Sequence, residues 1–239
     1  MADAGGVRAK SSTVTAGPPG HRTRAEYWDT FWPGAGDGGA PAADRVHWTQ
    51  YPFHGPGAEF LGAPRTALEL GSATCVASVA LARTGVRVTA VDFSAVQMER
   101  ARQWWAEEPN LTLVEDDVPD YLARTEERFD AVLSNWGAAW FIDPEVLLPL
   151  VRPRLNPGGV FAFSCVEPLA PCFGPQILYG NGYRGHRLAV VRWMLSCEDW
   201  RRVLVRHGFT NVEVEVLPGP EDDFVGTVLG RASTPPAPA

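Results

Sequence analysis

The residues best equipped for chemistry in this 239-residue sequence stand at the ends of four short apolar runs. The first run is Ala67-Leu68-Glu69-Leu70-Gly71-Ser72-Ala73-Thr74-Cys75, an apolar strand entering a Gly-bearing turn and then a helix. Such a junction is where nucleotide-like ligands bind in doubly wound folds. The second run ends in Val91-Asp92-Phe93-Ser94 and places a carboxylate at the carboxyl edge of the neighbouring strand, where it can accept two hydrogen bonds from a ribose diol. The third passes into Val114-Glu115-Asp116-Asp117-Val118, and the fourth ends in Ser134-Asn135-Trp136. Singly each signal is weak, since Asp92 alone is more often a helix N-terminal charge. Their order and spacing carry the reading.

Proton chemistry has three candidates, His54, Glu167 and His186, all in segments expected to border a cleft. The bland alternative is a turn or surface histidine at 54 and 186 and a solvated strand end at 167; His47 stays undecided. Aromatic residues are the other conspicuous feature. Trp28, Tyr51, Phe53, Trp136, Trp140, Phe141, Tyr179 and Tyr183 are candidate substrate contacts, although for most of them core packing is the commoner role. Trp136, Trp140 and Phe141 are exceptions, because the loop after strand four faces the ligand cleft.

The elements that must position these residues follow from hydrophobic periodicity. Short apolar runs over 67–70, 87–91, 111–114, 131–134 and 160–164 alternate with segments of helical period, the pattern of βαβ units in a mostly parallel sheet. Ser94 with Gln97 makes a capping box, Asp143-Pro144 an N-cap and first helical residue, and Ser196 with Asp199 a further cap before a helix ending at Gly208. Pro149 and Pro153 are expected to kink or divide the helix after Asp143. Runs over 212–217 and 224–229 read as a closing antiparallel pair. The expected organisation is a disordered tail over 1–22, one domain over 23–232 with an aromatic cap built from 24–60 and 167–195, and a disordered tail over 233–239.

Composition sets the outer bounds. With 45% hydrophobic and 21% charged residues the chain can bury a core as one domain without staples. A net charge of −7 repels a phosphate backbone, so nucleic acid is disfavoured. The four cysteines lack metal-ligand spacing and read as reduced thiols, the N-terminus has no secretory pattern, and no apolar run reaches the ~18 residues of a membrane span. A cytoplasmic monomer or homodimer is expected, with neither membrane nor metal as partner.

Over roughly residues 45–230 this ordered set resembles the class I S-adenosylmethionine-dependent methyltransferases. The resemblance implies an α/β, Rossmann-like seven-stranded sheet in the order 3-2-1-4-5-7-6, with Pro157-Gly158-Gly159 as the turn before strand five. It implies that Glu69 and Gly71, with Ser72 and Ala73 of the same turn, hold the methionine part of the cofactor, Asp92 the ribose, and Asp117 rather than Asp116 the adenine amino group. Phe93 and Val118 would flank the adenine, Gln97 would belong to the cofactor-binding set, and Asn135 would line the floor with Trp136. The family turn usually reads acid-x-Gly-x-Gly-x-Gly; here Ala73 and Cys75 replace the second and third glycines, and the Ala73 Cβ narrows the approach to the backbone. A nicotinamide-binding reading needs G-x-G-x-x-G, of which one glycine is present.

No Pro-Pro follows Ser134-Asn135-Trp136, unlike the amino methyltransferases of nucleic acid, and an aromatic cleft suits a planar small molecule. The pattern resembles actinobacterial natural-product methyltransferases, which implies C- or N-methylation of an indole-containing metabolite, including tryptophan cyclic dipeptides. O-methylation of a phenolic or carboxylate metabolite, or ligand binding without catalysis, are the alternatives.

Overall fold

The computed structural model describes residues 21–30, 39–181 and 187–237. After α1 (His21–Thr30) the chain runs β1 (Thr66–Leu70), α2 (Val76–Ala82), β2 (Arg87–Asp92), α3 (Ala95–Trp104), β3 (Leu111–Glu115), α4 (Val118–Arg124) and β4 (Phe129–Asn135). There follow α5 (Ala138–Phe141), α6 (Pro144–Val151), β5 (Leu155–Val166), a hairpin of β6 (Gly174–Asn181) and β7 (Arg187–Met194), α7 (Cys197–Arg206), β8 (Thr210–Leu217) and β9 (Thr227–Ser233).

Seven strands form one sheet in the order β3-β2-β1-β4-β5-β9-β8. β1 lies between β2 and β4 in parallel, with Leu68 opposite both Thr89 and Val132, and β9 runs antiparallel to β5 and β8. Leaving out the hairpin, this is the expected order 3-2-1-4-5-7-6. The inner strands are nearly all apolar because both faces are covered, as parallel sheets require. Leu68, Leu70 and Phe161 enter a core with Leu147, Leu148 and Trp200, whereas Ala67, Ala131 and Leu133 face Leu81 and Trp48 on the other side.

Helix starts behave largely as their sequences dictate. Asp143 Oδ1 accepts from Glu145 N, Ser196 Oγ accepts from Asp199 N, and Gly208 closes α7 at φ +78°. Pro149 is tolerated inside α6, which passes into a 3-10 turn, Arg152–Arg154, around Pro153. The Ser94 box forms only in part: its hydroxyl accepts from Gln97 N at 3.3 Å, but the Gln97 amide donates to Trp28 O.

Three expectations need correcting. The stretch 167–195, whose Gly, Pro and aromatic content reads as an irregular segment, contains a hairpin: β6 and β7 pair from Gly174 opposite Met194 to Asn181 opposite Arg187. Its Gly and Pro content hides a strand pattern that the paired partner sustains. The last strand starts at Thr227 rather than 224, because Phe224 N closes a turn onto Glu221 O. The tail expected from 233 is packed at its start: Ser233 ends β9, and Thr234 is buried, its hydroxyl donating to Asn156 O and its N–H to Gly159 O.

Candidate functional site

A cavity of about 520 Å³ opens beyond the carboxyl ends of β1, β2 and β4. A larger depression of about 620 Å³ lies at the amino ends of the strands, between Thr66, Arg87 and Phe129. Ligands of doubly wound sheets bind beyond the carboxyl ends, and the constellation of acids and glycines read from the sequence surrounds the first cavity.

Its floor is two turns pressed together. A Cβ on Gly71 (φ +74°) would stand 2.7 Å from Ala138 N, and one on Gly137 would run into Leu70 O. Only glycine permits this approach, which leaves main chain exposed to a ligand. Ala73 and Cys75, at φ +47° and +63°, keep the left-handed backbone that glycine would adopt freely. Cys75 is buried, which pushes its thiol far above the ordinary value, so it is inert.

Asp92 locks the turn from β2. Its Oδ2 accepts from Ala73 N and its Oδ1 from Ser94 N, both at 2.8 Å, leaving further lone pairs on each oxygen. Burial raises its pKa despite these bonds, and Asp29 adds to the rise. Glu69, deeper, accepts from the Ser78 hydroxyl, and burial pushes its carboxyl up to about 7. Asp117 meets Arg24 at 3.3 Å, and the Arg24 guanidinium lies 4.9 Å from the Phe93 ring centroid.

The opposite wall is aromatic. Trp28 meets Phe141 edge-on at 4.8 Å, Phe141 lies 4.9 Å from Trp140, and Trp140 meets Trp136 edge-on at 5.5 Å. Trp136 Nε1 donates to Trp48 O, and Trp140 Nε1 points to Met194 Sδ. Tyr27 completes the wall, its hydroxyl pKa raised by burial.

Residues 68–163 match the family described as methyltransferase domain. That match spans less than half of the chain and shows what this stretch is similar to. It is 34% identical over 92 residues to a demethylmenaquinone methyltransferase of Clavibacter sepedonicus, covering 38% of this chain and 37% of that one. It is 31% identical over 106 residues to a ubiquinone biosynthesis O-methyltransferase of Actinobacillus pleuropneumoniae serotype 5b (strain L20), covering 42% and 45%. The chain thus spans less than half the length of these curated relatives. Among solved structures, it resembles the 1,6-didemethyltoxoflavin-N1-methyltransferase of Burkholderia thailandensis, with bound 1,6-didemethyltoxoflavin and S-adenosylhomocysteine, at 23% identity and TM-score 0.55 over 73% of each chain. It also resembles the glycopeptide N-methyltransferase MtfA complexed with S-adenosylhomocysteine, at 25% identity and TM-score 0.55, covering 74% and 86%. The fold is that of the class I methyltransferases.

Of the residues singled out in the sequence, the cavity is lined by Glu69, Gly71, Ser72, Ala73, Asp92, Phe93, Asp117, Val118 and Asn135, and on its aromatic side by Trp28, Trp136, Trp140 and Phe141. Asp116 turns away to Arg124. Asn135 is tied on both sides, donating to His47 O and accepting from Ser164 Oγ, each at 2.9 Å.

Others lie elsewhere. Gln97 is 1% exposed and holds α1 rather than lining the cavity. Residues 47 and 48 strap across the end of β4 through Asn135 and Trp136, and the chain then runs toward β8 and β9. Tyr51 accordingly donates to Val225 O at 2.7 Å, His54 Nε2 bonds Pro218 O at 2.7 Å, and Phe53 is 76% exposed. Glu167 exchanges hydrogen bonds with Gly226, closing the β5–β9 ladder. Tyr51, Phe53, His54 and Glu167 are therefore not cavity residues. Tyr179 has its place in β6 opposite Ala189, whereas Tyr183 and His186 lie outside the described residues.

The sequence reading missed Arg24, Gly137, Leu178 and Asp29, which accepts from the Ser94 hydroxyl at 2.6 Å. Gly137 had a visible signal, a glycine directly after Asn135-Trp136. Asp29 had none, since its partner stands 65 positions away.

Proposed function

We propose that this protein transfers a methyl group from S-adenosylmethionine to a nitrogen or carbon of an aromatic small molecule, with an indole as first choice. The observation that carries the reading is a single cavity with a glycine and carboxylate floor on one side and a run of four aromatic rings on the other. The polar side fits the cofactor: Asp92 has lone pairs free for a ribose diol, Phe93 and Val118 line the cavity and supply apolar surface for adenine, and Gly71 with Gly137 clears a path along the main chain for the methionine part. The proteins it resembles include a ubiquinone biosynthesis O-methyltransferase, a 1,6-didemethyltoxoflavin-N1-methyltransferase and a glycopeptide N-methyltransferase, which supports a metabolite acceptor.

The bound cofactor supplies a methyl group already activated on sulfur. The chain's own residues orient the acceptor behind that methyl and exclude water, an effect of order 7–11 kcal/mol. The aromatic wall does both, because flat rings hold a planar acceptor by stacking and by area. Tyr27 stays protonated at neutral pH, since burial raises its hydroxyl, and so serves as a hydrogen-bond partner.

The test is S-adenosylhomocysteine formation across indoles, phenols and cyclic dipeptides, with and without EDTA. Turnover of aromatic acceptors that persists in EDTA is expected; methylation confined to aliphatic carboxylates or RNA would defeat the reading. Tight cofactor binding with no turnover on any acceptor would favour a ligand-binding protein. Replacing Asp92 by Ala removes two charge-assisted bonds to ribose, so S-adenosylhomocysteine affinity should fall by at least ~100-fold in calorimetry.

A further inference from the structure

We infer that Arg192 anchors an acidic group on the acceptor, so that the preferred acceptor is an aromatic acid; this rests on the methyl-transfer reading above. In β7, the side chains of Val190, Arg192 and Met194 share one face by strand alternation, and Val190 and Met194 are 1% and 4% exposed. Leu178 lies opposite Val190 across the hairpin and lines the cavity. The face that carries Arg192 is thus the one turned toward the site.

Two further wall residues hold the guanidinium. It lies 5.6 Å from the ring centroid of Trp140, and its charge acts on the Tyr27 hydroxyl. Its Nε is buried without a hydrogen-bond partner, and among the described residues no carboxylate pairs with Arg192. A cation drawn out of water needs an anion or an acceptor, and one ring face replaces only part of its hydration. The planar fork of arginine matches a carboxylate in two parallel bonds. The surfaces around it, Trp140, Tyr27 and Leu178, are flat or apolar, so the body of the molecule bearing that carboxylate is aromatic.

The methionine carboxylate of the cofactor offers the same chemistry, and the experiment separates the two sources. Benzoates, cinnamates and indole carboxylates, each beside its amide, are titrated calorimetrically in saturating S-adenosylhomocysteine against wild type, Arg192→Gln and Arg192→Lys. At least one acid should bind wild type roughly 10- to 100-fold tighter than its amide. Arg192→Gln should erase that preference, Arg192→Lys should keep part of it, and S-adenosylhomocysteine affinity should be the same in all three. Absence of acid preference across the wild-type set overturns the inference. So does a tenfold loss of S-adenosylhomocysteine affinity in Arg192→Gln, which would assign the arginine to the cofactor. If wild type does not bind S-adenosylhomocysteine at all, the methyl-transfer reading fails with it.

Discussion

At the polar end of the cavity the contacts are made largely by main chain between neighbouring turns: Asp92 accepts from Ala73 N and Ser94 N, and Gly71 lies against Ala138 N. At the aromatic end they join side chains from segments far apart, Trp28 of α1 with Phe141 of α5, and Trp140 with Met194 of β7. The first end is fixed once the sheet forms, because adjacent parallel strands bring their turns together. The second depends on how α1 and the β6–β7 hairpin dock. Under the proposed methyl transfer, the rigid floor would hold the cofactor and the docked cap would meet the acceptor.

The contrast can be broken most severely at the floor. Gly137→Ala drives a Cβ into Leu70 O, so the two turns must separate; a loss of about 3 kcal/mol in urea unfolding is expected, with at least tenfold weaker S-adenosylhomocysteine binding. Gly174→Ala at the hairpin is the matched control. Gly174 also has a positive φ, +80°, but nothing lies within 4 Å of its added Cβ, so only the backbone cost of about 1 kcal/mol should appear.

Glu69 gives the floor a pH signature. The folded protein keeps this proton up to about pH 7, whereas the unfolded chain releases it near the ordinary value of 4.5. Between those values the unfolded state binds fewer protons, so stability falls as pH rises and levels off above about 7. The fall attributable to Glu69 is roughly 2–3 kcal/mol. Urea midpoints from pH 4.5 to 7.5 should show that descending limb in wild type and its loss in Glu69→Gln; parallel curves would refute the buried neutral carboxyl.

The cap responds locally. Asp29→Ala and Gln97→Ala each remove one hydrogen bond between α1 and the segment after β2, about 1 kcal/mol apiece. Amides of α1 should exchange roughly fivefold faster while the sheet is unchanged. A uniform effect over both regions would mean that cap and floor open together.

The smallest effect is expected at Ala73. Glycine there relieves the left-handed strain but adds freedom to the unfolded chain, and the two nearly cancel, so Ala73→Gly should change stability by under ~0.5 kcal/mol. A larger loss would show that the Ala73 methyl group packs against the turn.

Legibility in the sequence follows the same division. The strand ends at Glu69, Gly71, Asp92 and Asp117 could be read because strand periodicity and turn glycines are local, and parallel pairing carries them to one edge; the order of the sheet came through the family resemblance. His54 and Glu167 were misjudged for one reason: both stand near the cleft in chain order, yet side-chain hydrogen bonds to the main chain of Pro218 and Gly226 take them to the β8–β9 side. Chain proximity to a cleft does not say which way a loop leaves it. The hairpin was missed because Gly174, Pro175 and Gly180 suppress local strand preference, which pairing with β7 overrides.

By itself, then, the sequence determined the alternation of strands and helices and the acidic and glycine positions at the strand ends, since each rests on hydrophobic period or on a backbone conformation that few residues tolerate, while the strand order came through the family resemblance. Tertiary structure alone decided that Arg24 meets Asp117, that Asp29 meets Ser94 and that Arg192 lies beside Trp140. Those partners stand 93, 65 and 52 positions apart in the chain. No local propensity links residues at such separations; they meet because α1 packs on β7 and α3, and β7 on α5, and the polar contacts follow from that packing.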